Sequence, residues 1–127
     1  MKNIFLLPIL MLFVACELSH DNPLDPENSG IPAPSQVSGI IIDRPQSGFV
    51  PITWDTVTSA DGYYIYRSQS YYGDYILHKE ISDANVTEYH DDKNYIQGNW
   101  YYYILSAYKI IDEKKLEGTR SRKVTWD

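Results

Sequence analysis

The sequence predicts an all-β fold, a seven-stranded antiparallel sandwich, and three observations indicate it. From Ser35 onward, short apolar runs alternate with turn residues at the spacing typical of a sandwich. No segment shows a sustained helical period of apolar residues. The stretch 99–108, NWYYYILSAY, contains five aromatic residues and neither Gly nor Pro, so we expect it to form the central strand of a sheet.

Length, charge and cysteine content limit the classes of protein to consider. The chain has 127 residues, which is enough for one ordinary domain. Its formal net charge of -6 argues against a nucleic-acid surface, because phosphate binding depends on clustered Lys and Arg. The single cysteine cannot form an internal disulfide. We therefore expect one acidic domain without a nucleic-acid partner.

The first 15 residues have the composition of a secretory signal peptide. Lys2 precedes the apolar run 4–15, which contains Pro8. A helix that spans a membrane needs about 20 apolar residues, so this run is too short to be a spanning anchor. We therefore predict that residues 1–15 are a signal peptide.

The residues at the end of this segment, Phe13, Val14, Ala15 and Cys16, resemble the lipobox of bacterial lipoproteins. The resemblance implies that Cys16 receives a diacylglyceryl group and a third acyl chain such as palmitate, which would anchor the protein to a membrane. Glu17 follows, rather than the Asp that retains enteric lipoproteins in the inner membrane. The expected location is therefore the outer membrane of a bacterial envelope, facing the periplasm or the cell surface. The alternative is an apolar leader without lipid.

Residues 16–34 are expected to form a lipidated polar tether. The stretch has no apolar period, and its prolines are Pro23, Pro26, Pro32 and Pro34. Its acidic residues suggest calcium binding, but an EF-hand loop starting at Asp21 would have proline at its third, sixth and twelfth positions. Those positions require a ligand, a glycine and a bidentate glutamate, so we expect no metal here.

The chain after the tether divides into seven predicted strands. The first is 37–42, and the break 43–48 follows it. In the second strand, apolar residues alternate at Val50, Ile52 and Trp54, and Pro51 lies on the opposite face. Because proline lacks a ladder donor, we expect this strand to lie at a sheet edge or to carry a bulge. The remaining predicted strands are 63–67, 75–81, 86–91, 99–108 and 119–126.

The predicted central strand, 99–108, has two largely apolar faces, because side chains alternate with a period of two. One face carries Tyr101, Tyr103, Leu105 and Ala107, and the other carries Trp100, Tyr102, Ile104, Ser106 and Tyr108. The first face is expected in the core. The second face is poorly suited to bare water, so it is the place where function is expected.

Over residues 34–126 the chain resembles a fibronectin type III domain. Three patterns carry the resemblance: the alternation at 50–54 that ends in Trp54, the sequence GYYIYR at 62–67, and the alternation at 101–107. Tyr101 occupies the position of the tyrosine-corner residue, whose hydroxyl forms a hydrogen bond to the backbone a few residues upstream. The usual Leu and Pro before this corner are replaced by Tyr95 and Gln97. The resemblance implies an immunoglobulin-like sandwich over residues 35–127 with the third and sixth strands as neighbours. The expected core is Trp54, Tyr63, Ile65, Tyr101, Tyr103 and Leu105.

The sequence offers no recognisable catalytic or metal site. The only thiol is Cys16, which lipidation would consume, and the glycines are too far apart for a phosphate-binding loop. The histidines, His20, His78 and His90, lack the spacing of a zinc site. Asp91 and Asp92 beside His90 could hold a cation, but turn formation is the favoured interpretation. We expect no catalysis, no cofactor and no metal.

The candidate interaction residues are aromatic and lie on the predicted second face. By the resemblance, Tyr64 and Tyr66 lie beside Trp100, Tyr102, Ile104 and Tyr108. Cross-strand aromatic pairs could serve sheet stability alone. The functional interpretation is a protein-docking surface, because Tyr and Trp dominate interface hot spots.

Two further clusters near loops have alternative interpretations. Tyr71, Tyr72 and Tyr75, around Gly73, could stack on sugar rings. Near the C-terminus, Arg120, Arg122 and Lys123, with Lys114 and Lys115 nearby, form a basic group. We expect these basic residues to be solvated charges that guard an edge strand.

Taken together, the patterns predict a lipid-anchored module of a bacterial envelope that lacks catalysis. Its expected role is adhesion, structure or contact with an envelope protein through the second face. The alternative is a carbohydrate-binding surface lipoprotein that uses the loop tyrosines.

Overall fold

The computed structural model describes residues 31–127, and the strands in that range form two antiparallel sheets. The strands are β1 (Ile41–Ile42), β2 (Val50–Thr53), β3 (Gly62–Ser68), β4 (Ile76–Ile81), β5 (Glu88–Asp91), β6 (Tyr102–Ile111) and β7 (Lys114–Glu117). The sheet orders are β1-β2-β5 and β4-β3-β6-β7. The predicted seven-stranded antiparallel sandwich is confirmed, and β3, β4 and β5 lie within two residues of their predicted bounds.

Several predictions concern residues that precede this range. The signal peptide at 1–15, the lipidation of Cys16 and nearly all of the tether at 16–34 lie outside the described residues. Between residues 31 and 127, no helix is long and apolar enough to cross a membrane.

The core lies between the sheets and is built from the inward side chains of each strand. On β2, Val50 and Ile52 are fully buried, and Trp54 follows them inward. Tyr101, Tyr103, Leu105 and Ala107 are also fully buried, as the alternation predicted. All six predicted core residues belong to one buried cluster, which also contains Val37, Ile42, Val57, Ile81 and Trp126.

Pro51 ends the β1–β2 ladder, although β2 is the central strand of the three-stranded sheet. The expected edge position or bulge is wrong, because β2 pairs in continuous register with both β1 and β5. The Pro51 carbonyl accepts a hydrogen bond from Asp43 N at 3.0 Å, but proline has no N–H to return it. The β1–β2 pairing therefore stops after Ile42. At its other end, the predicted first strand at 37–42 is shortened to the two residues of β1, because Gly39 has a φ of +67° and leaves the extended conformation.

The seventh strand lies earlier than predicted. β6 extends to Ile111 and turns at Asp112 and Glu113, whose φ angles are 52° and 67°, into β7. Two consecutive positive φ angles suit a tight hairpin turn, but the pair contains no glycine to signal it. The predicted strand at 119–126 is wrong. That segment runs beside β6 with an isolated bridge at Val124, whose N–H bonds Tyr103 O at 2.9 Å.

The predicted tyrosine corner is confirmed. The Tyr101 hydroxyl accepts a hydrogen bond from Ile96 N at 3.0 Å, five residues upstream. Tyr95 packs against the Tyr101 ring with a centroid distance of 5.7 Å. Gly98 has a φ of +91°, which glycine adopts at little cost. The corner therefore forms although Tyr95 and Gln97 replace the usual Leu and Pro.

A buried carboxylate joins the two sheets. Asp91, in β5, has an exposed fraction of 0%. Its Oδ2 accepts hydrogen bonds from the Tyr103 hydroxyl at 2.6 Å and from Arg67 Nη1 at 3.1 Å, and its Oδ1 lies 2.6 Å from His78 Nε2. Arg67, His78 and Tyr103 belong to β3, β4 and β6. One side chain of the first sheet therefore contacts three neighbouring strands of the second.

The partners of Asp91 keep it ionised. Burial by itself raises the pKa of the Asp91 carboxyl, but the hydrogen bonds from His78 and Tyr103 and the charges of His78 and Arg67 outweigh burial and lower the pKa. Arg67 is held in turn, because its Nη1 donates to Lys93 O at 3.0 Å. Arg67 is thus oriented toward the carboxylate by the backbone that follows β5.

Turn formation is therefore the wrong interpretation of Asp91. The residue ends β5 on its buried side, where an ionised group requires partners. The sequence contained a signal for this cluster. Arg67 has the same strand parity as the core residues Tyr63 and Ile65, and a cation at an inward position indicates a buried anion opposite it.

The first prediction concerns Trp54, which is 4% exposed and packs edge-on against Tyr63 at 5.5 Å. We expect Trp54→Ala to lower the free energy of unfolding by about 3 to 5 kcal/mol, because it removes a large buried ring. Urea melts measure the change. Ile41→Ala, at a side chain that is 58% exposed, should change the free energy by less than about 0.5 kcal/mol. A loss below about 1 kcal/mol for Trp54→Ala would count against this core.

The second prediction concerns the pH dependence of the Asp91 cluster. Asp91→Asn should destabilise the protein by about 3 to 5 kcal/mol at pH 7, because it leaves the Arg67 charge without its partner. The folded-state pKa of Asp91 is lowered, so its contribution is present above the unfolded pKa of about 3.9 and is lost as the pH falls through the folded value. Urea melts between pH 7 and pH 2 should therefore show the two proteins converging below about pH 4.

The matched control for this experiment is Glu88→Gln on the same strand. The Glu88 side chain is 61% exposed and, within residues 31–127, pairs only with His90. The free energy of unfolding should therefore change by less than about 0.5 kcal/mol. A difference between wild type and Asp91→Asn that stays constant down to pH 2 would contradict the assignment.

Candidate functional site

The outward face of the four-stranded sheet carries most of the residues predicted to dock a partner. We use the name outward face for Tyr64, Tyr66, Tyr102, Ile104, Ser106 and Tyr108. The register pairs Tyr64 with Ser106 and Tyr66 with Ile104, so β3 and β6 are neighbours as predicted. The Tyr64 ring lies 4.7 Å from Tyr108 and 6.2 Å from Tyr66. Tyr64, Tyr66 and Tyr108 therefore form one contiguous cluster.

Tyr66 is buried rather than available to a partner. Its exposed fraction is 7%, and the Arg120 guanidinium carbon lies 4.0 Å from its ring centroid. The Tyr66 hydroxyl donates to Glu117 Oε2 at 2.7 Å. Burial, together with this hydrogen bond and the Glu117 charge, raises the pKa of Tyr66 to about 12. The expectation that Tyr66 lies on a free docking surface is wrong.

Tyr108 is covered in the same way by a second ion pair. Its exposed fraction is 0%, and its hydroxyl donates to Glu80 Oε2 at 2.9 Å. Lys115 pairs with the same Glu80 oxygen at 2.5 Å and lies 5.3 Å from the Tyr108 ring centroid. Burial and the Glu80 hydrogen bond raise the pKa of Tyr108. Tyr108 therefore cannot serve as a docking residue in this conformation.

The basic residues near the C-terminus have a packing role that the sequence did not reveal. β7 lies at the edge of the four-stranded sheet, which agrees with the expectation that basic residues guard an edge strand. Arg120 and Lys115 are about half exposed, but each also lies over a tyrosine ring and pairs with a glutamate. Burial would raise the pKa of Glu117, but hydrogen bonds from Arg120, Ser106 and Tyr66 outweigh it and lower the pKa. Two ion pairs therefore cover much of the outward face.

Trp100 does not join the outward face. It precedes β6 and is 44% exposed, and its ring stacks on Trp126 at 4.7 Å. Trp126 belongs to the core cluster. The predicted placement of Trp100 beside Tyr64 and Tyr66 is therefore wrong, because the chain has not yet entered the sheet at this residue.

Three outward-face residues remain accessible beside an exposed leucine. Tyr64, Tyr102 and Ile104 are half-buried, and Leu77 of β4 is 48% exposed. The register pairs Leu77 with Tyr66 and Tyr66 with Ile104, so these side chains form a row across three neighbouring strands. The centre of the row is covered by Arg120. Its two ends are open to a partner.

The loop tyrosines contact the outward face, although the sequence pattern predicted two separate groups. Tyr71 and Tyr72 are 44% and 88% exposed, and their rings meet edge-on at 4.9 Å. Tyr71 also meets Tyr102 edge-on at 5.7 Å. Lys123 Nζ lies 4.7 Å from the ring centroid of Tyr71 and 5.4 Å from those of Tyr72 and Tyr75. The loop therefore places three tyrosine rings around a cation from the C-terminal segment and leaves one side open to solvent.

The histidines of the described region are engaged with carboxylates. His78 bonds the buried Asp91, and His90 bonds Glu88 at 2.9 Å and stacks on Phe49 at 4.4 Å. Across residues 31–127, no group of three or more His, Cys, Asp or Glu side chains is arranged to hold a metal ion. The titratable side chains that lie close together thus form structural pairs.

Comparisons with known proteins bear on the fold. No family model matches the sequence, and no curated protein matches it. Among solved structures, an Fn3-like protein from Clostridium thermocellum is 24% identical with a TM-score of 0.55, over 75% of this chain and 95% of that one. The spore cortex lytic enzyme SleM of Clostridium perfringens is 13% identical with a TM-score of 0.56, over 77% of this chain.

These similarities concern the architecture. The chain spans 29% of the length of SleM, so the match covers only part of that enzyme. The similarity to the Fn3-like protein covers nearly all of that protein and agrees with the two sheets and the tyrosine corner described above. The described part of this chain therefore has the fibronectin type III fold.

Proposed function

We propose that the protein is a lipid-anchored, non-catalytic module of a bacterial envelope that contacts another protein through its outward face. The fibronectin type III fold supports a role in protein interaction or in structure, and the similarity of residues 13–16 to a lipobox supports the anchor. The acidic net charge of -6 is consistent with a protein rather than a nucleic-acid partner.

The observation that carries the contact surface is the row of apolar side chains across β4, β3 and β6. Leu77 and Ile104 lie at its ends, and Tyr64 and Tyr102 lie beside it, all at least partly accessible. Tyrosine and apolar side chains supply much of the binding free energy at protein interfaces. The Arg120–Glu117 pair over Tyr66 would lie between the two apolar ends of such a contact, and the Lys115–Glu80 pair over Tyr108 would lie at its polar border.

The absence of a role in catalysis is supported by the bonding of the titratable groups. His78 Nε2 is engaged by the buried Asp91, and His90 is engaged by Glu88. A catalytic base must reach a substrate proton, and the His78 side chain is only 8% exposed. Cys16, the only thiol of the chain, would be consumed by lipid.

Carbohydrate binding by Tyr71, Tyr72 and Tyr75 is the weaker candidate. Stacking on a sugar requires an open ring face, and Lys123 lies within 5.4 Å of the centroids of all three rings. The geometry therefore favours the protein contact as the proposed function.

The third prediction tests the anchor. Cys16→Ser should move the protein from the membrane fraction to the soluble fraction, because no acyl chains can then be attached and two chains are needed for stable anchoring. Fractionation followed by immunoblotting measures the distribution. Ser19→Ala, a nearby change outside the lipobox, should leave the protein in the membrane fraction. Retention of the Cys16→Ser variant in membranes would contradict the lipid anchor.

The fourth prediction tests the contact surface in intact cells. A photo-crosslinking amino acid at Leu77, which lies beside Tyr66 of the outward face, should give one discrete adduct with an envelope protein. The same probe at Ile41, which is 58% exposed on β1 of the other sheet, should give none. Mass spectrometry identifies the adduct, which should be lost when Tyr64 and Ile104 are both changed to Ala.

Two outcomes would contradict this surface. One is the same adduct pattern from Leu77 and Ile41, and the other is no adduct from Leu77. Tyr66 and Tyr108 are left unchanged in this test, because their buried hydrogen bonds make loss of the fold the expected effect of alanine there.

A further inference from the structure

The β3–β4 connection forms an aromatic cage around the ammonium of Lys123. The Nζ atom lies 4.7 Å from the centroid of Tyr71 and 5.4 Å from those of Tyr72 and Tyr75. All three distances are within the range of cation–π attraction, about 6 Å. Within residues 31–127, this ammonium makes no ion pair and no hydrogen bond. The rings alone hold the cation, which differs from Lys115 and Arg120, each of which is paired with a glutamate.

The cage is braced by contacts other than those to Lys123. The Tyr75 hydroxyl donates to Tyr71 O at 3.0 Å, which ties the two ends of the loop together. Gly73 N donates to Ser70 O at 3.0 Å and closes the turn that carries Tyr71 and Tyr72. Tyr71 is held edge-on by Tyr72 at 4.9 Å and by Tyr102 of β6 at 5.7 Å. The rings would therefore keep much of their arrangement without the lysine.

The Lys123 side chain can leave the cage without unfolding of its segment. The neighbouring Val124 exchanges two backbone hydrogen bonds with Tyr103, at 2.8 and 2.9 Å. On the preceding side, Ser121 N donates to Leu105 O at 2.8 Å. The backbone is thus fixed to β6 on both sides of Lys123, and rotation of the side chain is enough to open the cage.

The chemistry of the cage favours a cation that is weakly hydrated. A primary ammonium is a compact, strongly hydrated charge. A site without oxygen acceptors compensates only a small part of the hydration that this ammonium loses on binding. A quaternary ammonium has no N–H donors to satisfy, and aromatic cages recognise such groups. The exposed ring of Tyr72, at 88%, leaves the cage open to solvent. The net charge of -6 also favours cationic ligands over anionic ones.

We propose that Tyr71, Tyr72 and Tyr75 form a binding site for a quaternary ammonium group, which exchanges with Lys123 as the resident occupant. The site adjoins the protein contact proposed above, because Tyr102 contacts Tyr71, but it requires neither Leu77 nor an envelope partner. Lys123 acts as an internal competitor, so ligand affinity depends on how readily its side chain leaves.

The test is an NMR titration of the full chain, purified in a non-ionic detergent, with tetramethylammonium chloride against sodium chloride of equal ionic strength. Wild type should show saturable shifts confined to the β3–β4 connection and to Lys123. Lys123→Ala should bind about tenfold more tightly, because it lacks the competitor. Arg122→Ala, a neighbouring exposed cation, should bind as wild type does.

The remaining variants separate the cage from a general salt effect. Lys123→Ala combined with Tyr72→Ala should lose the saturable shifts, while unchanged resonances of β2 and β6 verify the fold. Titration of Lys123→Ala with choline and with trimethyl-lysine then distinguishes a headgroup from a modified side chain as the source of the group. The proposal is overturned if Lys123→Ala binds tetramethylammonium no more tightly than wild type, or if ammonium chloride produces the same shifts.

Discussion

The buried carboxylate of Asp91 is the interaction on which the arrangement of the two sheets depends. An ionised group with no contact to water is costly, and the cost is offset only while each of its donors stays in place. Arg67, His78 and Tyr103 come from three adjacent strands, so any sliding of one sheet over the other would break at least one of these bonds. Apolar contacts are not directional, so a purely apolar interface would fix the relative position of the two sheets less strictly.

The same cluster extends to the tyrosine corner. The Arg67 guanidinium carbon that faces Asp91 lies 4.3 Å from the ring centroid of Tyr101. Tyr101 in turn fixes the loop before β6 through its bond from Ile96 N. A connected set of contacts therefore runs from β5 through the core to the loop that leads into the central strand. The polar cluster and the corner act as one structural unit.

Much of the fold follows from alternation alone, because most inward positions are apolar whatever their partners are. The core residues Trp54, Tyr103 and Leu105 were predictable for this reason. The position of β7 was not, because the turn at Asp112 and Glu113 uses positive φ angles without glycine. The short length of β1 was not predictable either, because the positive φ of Gly39 interrupts the extended backbone before it, and a glycine in a predicted strand gives no sign of its φ.

The candidate site was less predictable than the fold for a related reason. Strand parity placed Tyr66 and Tyr108 on the outward face, but parity does not determine exposure. Their burial depends on Arg120 and Lys115, which reach over the rings from residues distant in sequence. Likewise, nothing in the sequence near Tyr71 indicates that Lys123 fills the loop. Long cationic side chains thus determined which aromatic surface remained free.

Three tyrosines, Tyr66, Tyr103 and Tyr108, each donate a hydrogen bond to a carboxylate that is also paired with a cation. Burial and these bonds raise the pKa of each phenol in the folded state. The unfolded chain therefore loses these protons first, and stability declines as the pH rises above about 10. The phenols of this protein therefore limit its stability at alkaline pH, and its carboxylates limit its stability at acidic pH. The same three hydrogen bonds contribute to both limits.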